Sequence, residues 1–158
     1  MFVIAAMLVS ACGTTKYQAK SQKPDPDDLP KFTVRGTVTV SGLTDNRYKL
    51  LHPMASLEVN YQDMTSVAVT TLQAELNARP SGTGGDEEKS LNLQITDVSM
   101  VGIWTCYINF NIATGDGYLH GHQVESGSWN YTKACNEAVT GMVIATVSDP
   151  KVQDYLAR

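Results

Sequence analysis

Positive charge is scarce in this chain, and what there is does not cluster. Twelve Lys and Arg stand against sixteen Asp and Glu, for a formal charge of −4. A nucleic-acid-binding surface would need a basic face, so that class is set aside. Beyond the first twelve residues no apolar run approaches the roughly 20 residues that a spanning helix requires. Cysteine is limited to three residues, with no Cys-x-x-Cys pair. This argues against a thiol redox centre, because nothing adjacent would lower a thiol pKa. No internal repeat is visible. No Ser/His/Asp or Cys/His arrangement can be argued from spacing, so the expectation is a protein that is not an enzyme.

What the chain does contain begins at once. Residues 1–12 read MFVIAAMLVSAC, an uncharged apolar run that ends in small residues followed by cysteine. It is too short for a finished span but suits the signal-peptide core of about 7–15 residues. Val9-Ser10-Ala11-Cys12 resembles the lipobox of bacterial lipoproteins: an aliphatic residue, two small residues, then Cys. The resemblance implies that the Cys12 thiol is diacylated, that residues 1–11 are a signal peptide cut away before it, and that the freed amine is acylated in turn. Neither Lys nor Arg precedes Cys12, a departure from the family pattern that a start codon placed upstream would explain. In many enterobacteria Asp after the acylated Cys retains a lipoprotein at the inner membrane. Here that position is Gly13, which points to the outer membrane.

Removal of the signal leaves about 147 residues, and the part able to fold is roughly 125, the size of one domain. Gly13 to Lys31, GTTKYQAKSQKPDPDDLPK, is polar and proline-bearing. Its composition predicts a disordered tether that could reach about 60 Å when fully extended. The single domain is then expected over 32–158.

Within it, Phe32 to Val40 alternates with many β-branched residues and predicts a first strand. SGLTDNRYKLLHPM reads as a loop, and Ser56 to Tyr61 as a short strand. A helix capped by Asp63 or Thr65 should run to Ala78, with Ala68, Val69, Leu72 and Leu76 on one face. Its β-branched residues leave a continuing strand as the competitor. Ser81 to Lys89 is an acidic loop. Lys89-Ser90 superficially matches the end of a phosphate-binding P-loop, but Thr83 and Glu88 stand where that motif needs Gly.

Clear alternation at Leu91, Leu93 and Ile95, and again at Trp104, Cys106, Ile108, Phe110 and Ile112, predicts two half-buried strands. Thr114-Gly115-Asp116-Gly117 turns the chain into a third strand, from Tyr118 to about Ser126. Tyr131 through Thr146 carries a helical stripe with Ser128 or Asn130 as cap. Pro150 then opens a short last helix packed through Val152, Tyr155 and Leu156. The order implies an α+β fold: an antiparallel sheet of about three to five strands with two main helices packed on one face.

Besides Cys12, three candidate sites follow. With Cys12 lipidated, Cys106 and Cys135 remain, both on inward phases; they form either a disulfide, as an oxidising periplasm allows, or two buried thiols that act as small hydrophobes. His120 and His122 share a strand face near Asp116, a weak metal constellation for want of a second ligand cluster. No metal or other cofactor is expected apart from the covalent lipid on Cys12. Trp104, Tyr107, Tyr118 and Trp129 could make an aromatic patch, although alternation favours Trp104 in the core.

Anchor, tether and small α+β domain together resemble, in architecture, the periplasmic outer-membrane lipoproteins that activate peptidoglycan synthases, and related small lipoproteins of unassigned role. The resemblance implies a non-enzymatic accessory lipoprotein that presents a protein-binding domain to a membrane-associated machine such as cell-wall synthesis, secretion or appendage assembly. The alternative is a lipoprotein that binds a lipid, glycan or metal. An envelope protein partner is expected, and no nucleic acid.

Overall fold

In the computed structural model, residues 14–43, 45–51, 57–82, 87–102 and 104–158 are described. The elements in chain order are β1 (Thr15–Lys16), β2 (Thr37–Gly42), β3 (Tyr48–Leu51), β4 (Leu57–Asn60), α1 (Tyr61–Asn77), β5 (Glu88–Val101), β6 (Thr105–Thr114), β7 (Leu119–Gly127), α2 (Tyr131–Ser148) and α3 (Pro150–Ala157). They form an α+β fold with a four-stranded sheet, order β2-β5-β6-β7, and a smaller one, order β1-β4-β3. Residues 1–13, which include the segment expected as a signal peptide and Cys12, lie outside the described residues.

The long strands follow the alternation in the sequence. Leu91, Leu93 and Ile95 of β5, with Cys106, Ile108, Phe110 and Ile112 of β6, are buried beneath α1 and α2. The opposite face carries Asn92, Gln94, Tyr107, Asn109 and Asn111, all half-buried. An irregularity between Ile95 and Asp97 inserts Thr96 against β6. This β-bulge shifts the inward phase by one residue, so that Val98, not Asp97, enters the core.

The expectation of a wholly antiparallel sheet needs one correction. β5, β6 and β7 form an antiparallel meander, but β2 lies parallel to β5. A parallel pair needs a crossover connection, and the chain between them contains α1. The first strand also begins later than Phe32. Gly36 has φ +76°, and a Cβ there would sit 2.2 Å from the Glu87 carbonyl oxygen. Only glycine fits both conditions, so extended pairing along β5 starts at Thr37; Val34 instead makes an isolated bridge to Ser81.

The segment predicted as a loop after β2 contains β3, whose four residues pair with β4. α1 starts at Tyr61, earlier than expected, because the Asn60 side chain accepts from the N–H groups of Gln62 and Asp63. That is the usual way a helix start satisfies its orphan donors. Asn130, and not Ser128, caps α2 through Lys133 N–H. Asp149 caps α3, with Pro150 in its first turn.

The stretch expected as a disordered tether is the largest departure. Residues 14–31 form β1 and then a strap that lies against both helices. Tyr17 is 4 % exposed, and its hydroxyl donates to Asn136 Oδ1 of α2 at 2.6 Å. Lys20 N–H donates to the same oxygen, the Ser21 hydroxyl meets Thr71 of α1 at 2.8 Å, and Thr140 of α2 donates to the Gln22 carbonyl. Farther along, Arg79 at the end of α1 donates to the Pro30 carbonyl at 2.7 Å and covers the Phe32 ring at 4.0 Å. A polar composition predicts disorder when a segment has no surface to bury against. Here α1 and α2 supply that surface, and a single buried tyrosine registers the strap upon it.

Candidate functional site

Cys106 on β6 and Cys135 on α2 form a disulfide with Cα atoms 5.2 Å apart. The reading as two free buried thiols is therefore excluded. Both residues are fully buried, and the bond fastens the first half of α2 to the sheet.

The histidines of β7 face α2, as their shared phase requires. His122 Nε2 lies 3.0 Å from Asp149 Oδ2, and the same oxygen accepts from the Tyr118 hydroxyl at 2.9 Å. The other oxygen, Oδ1, caps α3 through the N–H groups of Lys151 and Val152. The His122 ring stacks on Phe110, His120 stacks on Tyr118, and the two imidazoles meet edge to face at 4.7 Å. Asp116, the carboxylate drawn beside them in the sequence, instead engages the Thr114 hydroxyl and Arg158. Among the described residues no group of three or more His, Cys, Asp or Glu is placed to hold a metal ion. The cluster joins the β6–β7 turn, α2 and α3 around one buried carboxylate.

Burial pushes the Asp149 carboxyl upward, but its bonds from Tyr118, the two backbone N–H groups and His122 outweigh that and hold it below the usual carboxylate range. A depressed folded-state value contributes stability above the unfolded value, and that contribution is lost as pH falls through the folded one. The domain is therefore expected to weaken below about pH 4. Urea unfolding of the parent and of Asp149→Asn at neutral and acid pH tests this. The variant should be the weaker at neutral pH and show a shallower acid loss; parallel pH profiles would assign the acid sensitivity to other groups.

Lys89, the residue that gave the P-loop likeness, is 3 % exposed, and its Nζ donates to the carbonyls of Leu156 and Arg158. It closes the end of α3, as a cation near a helix C-terminus does. Between the strap and the end of α1 lies an open cleft of about 430 Å³, walled by Leu29, Phe32 and Arg79.

The four aromatic candidates do not converge. Tyr118 belongs to the histidine cluster, and Tyr107 stands on the amide face. Trp104 and Trp129 pair with ring centroids 6.1 Å apart at the end of the sheet where α2 begins. Trp104 is half-buried, contrary to its expected place in the core, because β6 starts only at Thr105 and the indole lies in the turn before it.

The two edges of the main sheet differ in a way that residue spacing did not signal. At β2, the Gln73 carboxamide of α1 accepts from Val40 N–H and donates to the Val38 carbonyl, and so occupies the edge as a neighbouring strand would. At β7, the outer edge has no strand partner among the described residues. An unpaired edge is a template for pairing with another chain.

No family model matches this chain, and no curated protein does. Among solved structures, the chain is similar to the crystal structure of protein XCC0632 from Xanthomonas campestris, described under the family model DUF330. The TM-score is 0.52 at 14 % identity, over 90 % of this chain and 95 % of that one. A second structure, of an uncharacterized protein, has a TM-score of 0.46 at 10 % identity, over 90 % and 99 % of the two chains. At 14 % identity, what the XCC0632 protein shares with this chain is the fold.

Proposed function

We propose that this protein is a non-enzymatic, lipid-anchored accessory lipoprotein of the bacterial envelope, held by Cys12 at the outer membrane and presenting its domain to a membrane-associated protein partner. The observation that carries the reading is Val9-Ser10-Ala11-Cys12, set directly before the ordered chain. The disulfide supports it in two ways. Stable disulfides belong to oxidising compartments such as the periplasm, and the pairing of Cys106 with Cys135 leaves Cys12 as the one remaining cysteine of three. The open β7 edge supports a protein-binding role, since a partner strand can add there through main-chain bonds.

The mechanism is confinement. A lipid fixes the domain in the plane of the membrane and raises its effective concentration toward anything else held there. Because the strap is docked, the reach is far shorter than the extended length of residues 13–31. The partner must itself lie at the membrane.

Intact mass of protein purified from membranes, beside a Cys12→Ala variant, tests the anchor. The expected mass is that of a chain cut before Cys12 with acyl chains added, and the variant should lose both cleavage and membrane association. A soluble, unacylated product that retains Met1 would overturn the proposal.

A further inference from the structure

We infer that the end of the domain bearing Trp104, Trp129 and Val101 rests on the bilayer surface, with the indoles at headgroup depth. The inference deepens the anchor proposed above and rests on it.

Two independent placements meet at this end. The first is the exposed apolar surface. Trp129 is 87 % exposed and Val101 58 % exposed, with Trp104 against Trp129. Trp129 directly precedes Asn130, the cap of α2, and Val101 closes β5 across from Thr105. Tyr48 and Leu50 of β3 are also exposed, on the small sheet whose strand β4 leads into the start of α1.

The second placement is the entry of the chain. The strap runs along α1 and α2 from their beginnings to their ends: Tyr17 and Lys20 reach Asn136 in the second turn of α2, while Pro30 reaches Arg79 past the end of α1. Followed backward, the chain leaves Tyr17 through β1, with Thr15 level with Leu57 before α1 begins. Residue 14 therefore stands at the end of the domain that carries the tryptophans. Only two peptide steps separate Thr14 from Cys12, at most about 7 Å of chain.

An acylated cysteine sits where acyl chains meet headgroups, so so short a link holds this end of the domain against the interface. Indole rings, apolar with one polar N–H, favour that depth. Together a short tether and an exposed indole define a face, where the lipid alone would define only a distance. The far end, with α3, Lys89 and the Arg79 cleft, then points away from the membrane.

The chain has two tryptophans, both at this end, so tryptophan emission, excited at wavelengths that tyrosine does not absorb, reports on this surface. The acylated protein, with acylation established by intact mass, is placed in phosphatidylethanolamine and phosphatidylglycerol vesicles, with and without brominated acyl chains. The expected result is blue-shifted emission that bromine quenches, with most of the quenching lost in Trp129→Ser, a substitution at an exposed position. Acylated protein whose emission bromine leaves unchanged would overturn the inference while leaving the anchor in place. Protein whose mass shows no acyl chain would overturn the anchor and, with it, this orientation.

Discussion

Tyr17→Ala should destabilise the domain by about 3–5 kcal/mol, the range for removal of a buried aromatic side chain. In a domain of this size that lowers the melting temperature by roughly 10 °C. The residue lies in a stretch whose composition argues for disorder, so the prediction separates two pictures of the N-terminal segment. The Tyr17 ring is part of the core cluster, and its hydroxyl meets Asn136, a polar side chain that is itself buried. Burial pushes the phenol well above the ordinary tyrosine range, so it stays a neutral donor. Tyr17→Phe should cost only about 1 kcal/mol, because Asn136 Oδ1 keeps the bond from Lys20 N–H. Urea unfolding measures both variants, and amide exchange at residues 17–22 gives a second readout. If Tyr17→Ala falls within about 0.5 kcal/mol of the parent, the value typical of a surface change, the strap is no part of the cooperative fold and the short reach of the domain is lost with it.

Loss of the disulfide is the other large effect. Cys106 and Cys135 are 29 residues apart in sequence, and chain-entropy arguments for a closed loop of about 30 residues give roughly 3.5 kcal/mol. Cys106→Ala with Cys135→Ala should lose about that much, again near 10 °C in melting temperature. Both sulfurs are fully buried, so the native protein should resist reductant until it is partly unfolded, and mass spectrometry should record the gain of two hydrogens only when urea is present. A double variant within about 1 kcal/mol of the parent would mean that packing of α2 on β6, and not the covalent link, sets the stability there. The same protein produced in a reducing compartment is expected to start from the weaker state.

Legibility in the sequence tracked how locally each feature is specified. The phases of β5 and β6, the turn at Thr114-Gly115-Asp116-Gly117, the stripe of α2 and Pro150 at the start of α3 are written in spacings of two to four residues, and the structure follows them. Boundaries moved where one side chain decided them: Asn60 brought α1 forward to Tyr61, and Gly36 held β2 back to Thr37. The parallel register of β2 on β5 has no local signature, because it depends on where the chain returns after α1. The histidine pair shows the same limit. Alternation put His120 and His122 on one face, but Asp149, 27 residues beyond His122, determines what that face meets.

Taken alone, the sequence determined the class of fold, the inward faces of the long strands and of α2, and the candidacy of Cys106 and Cys135 for a bond; it also carries the lipobox resemblance on which the proposed anchor rests. These follow from residue order, because periodicity and short motifs act over a few residues. Tertiary structure decided that residues 14–31 form a strap and not a loose tether, that Gln73 occupies one sheet edge while β7 stays open, and that the two tryptophans stand at the end where the chain enters. Each of those depends on surfaces brought together from distant parts of the chain. A polar segment orders only where a groove exists to receive it, and the groove that receives this one is made by helices that begin at Tyr61 and Tyr131, well after the strap ends at Lys31.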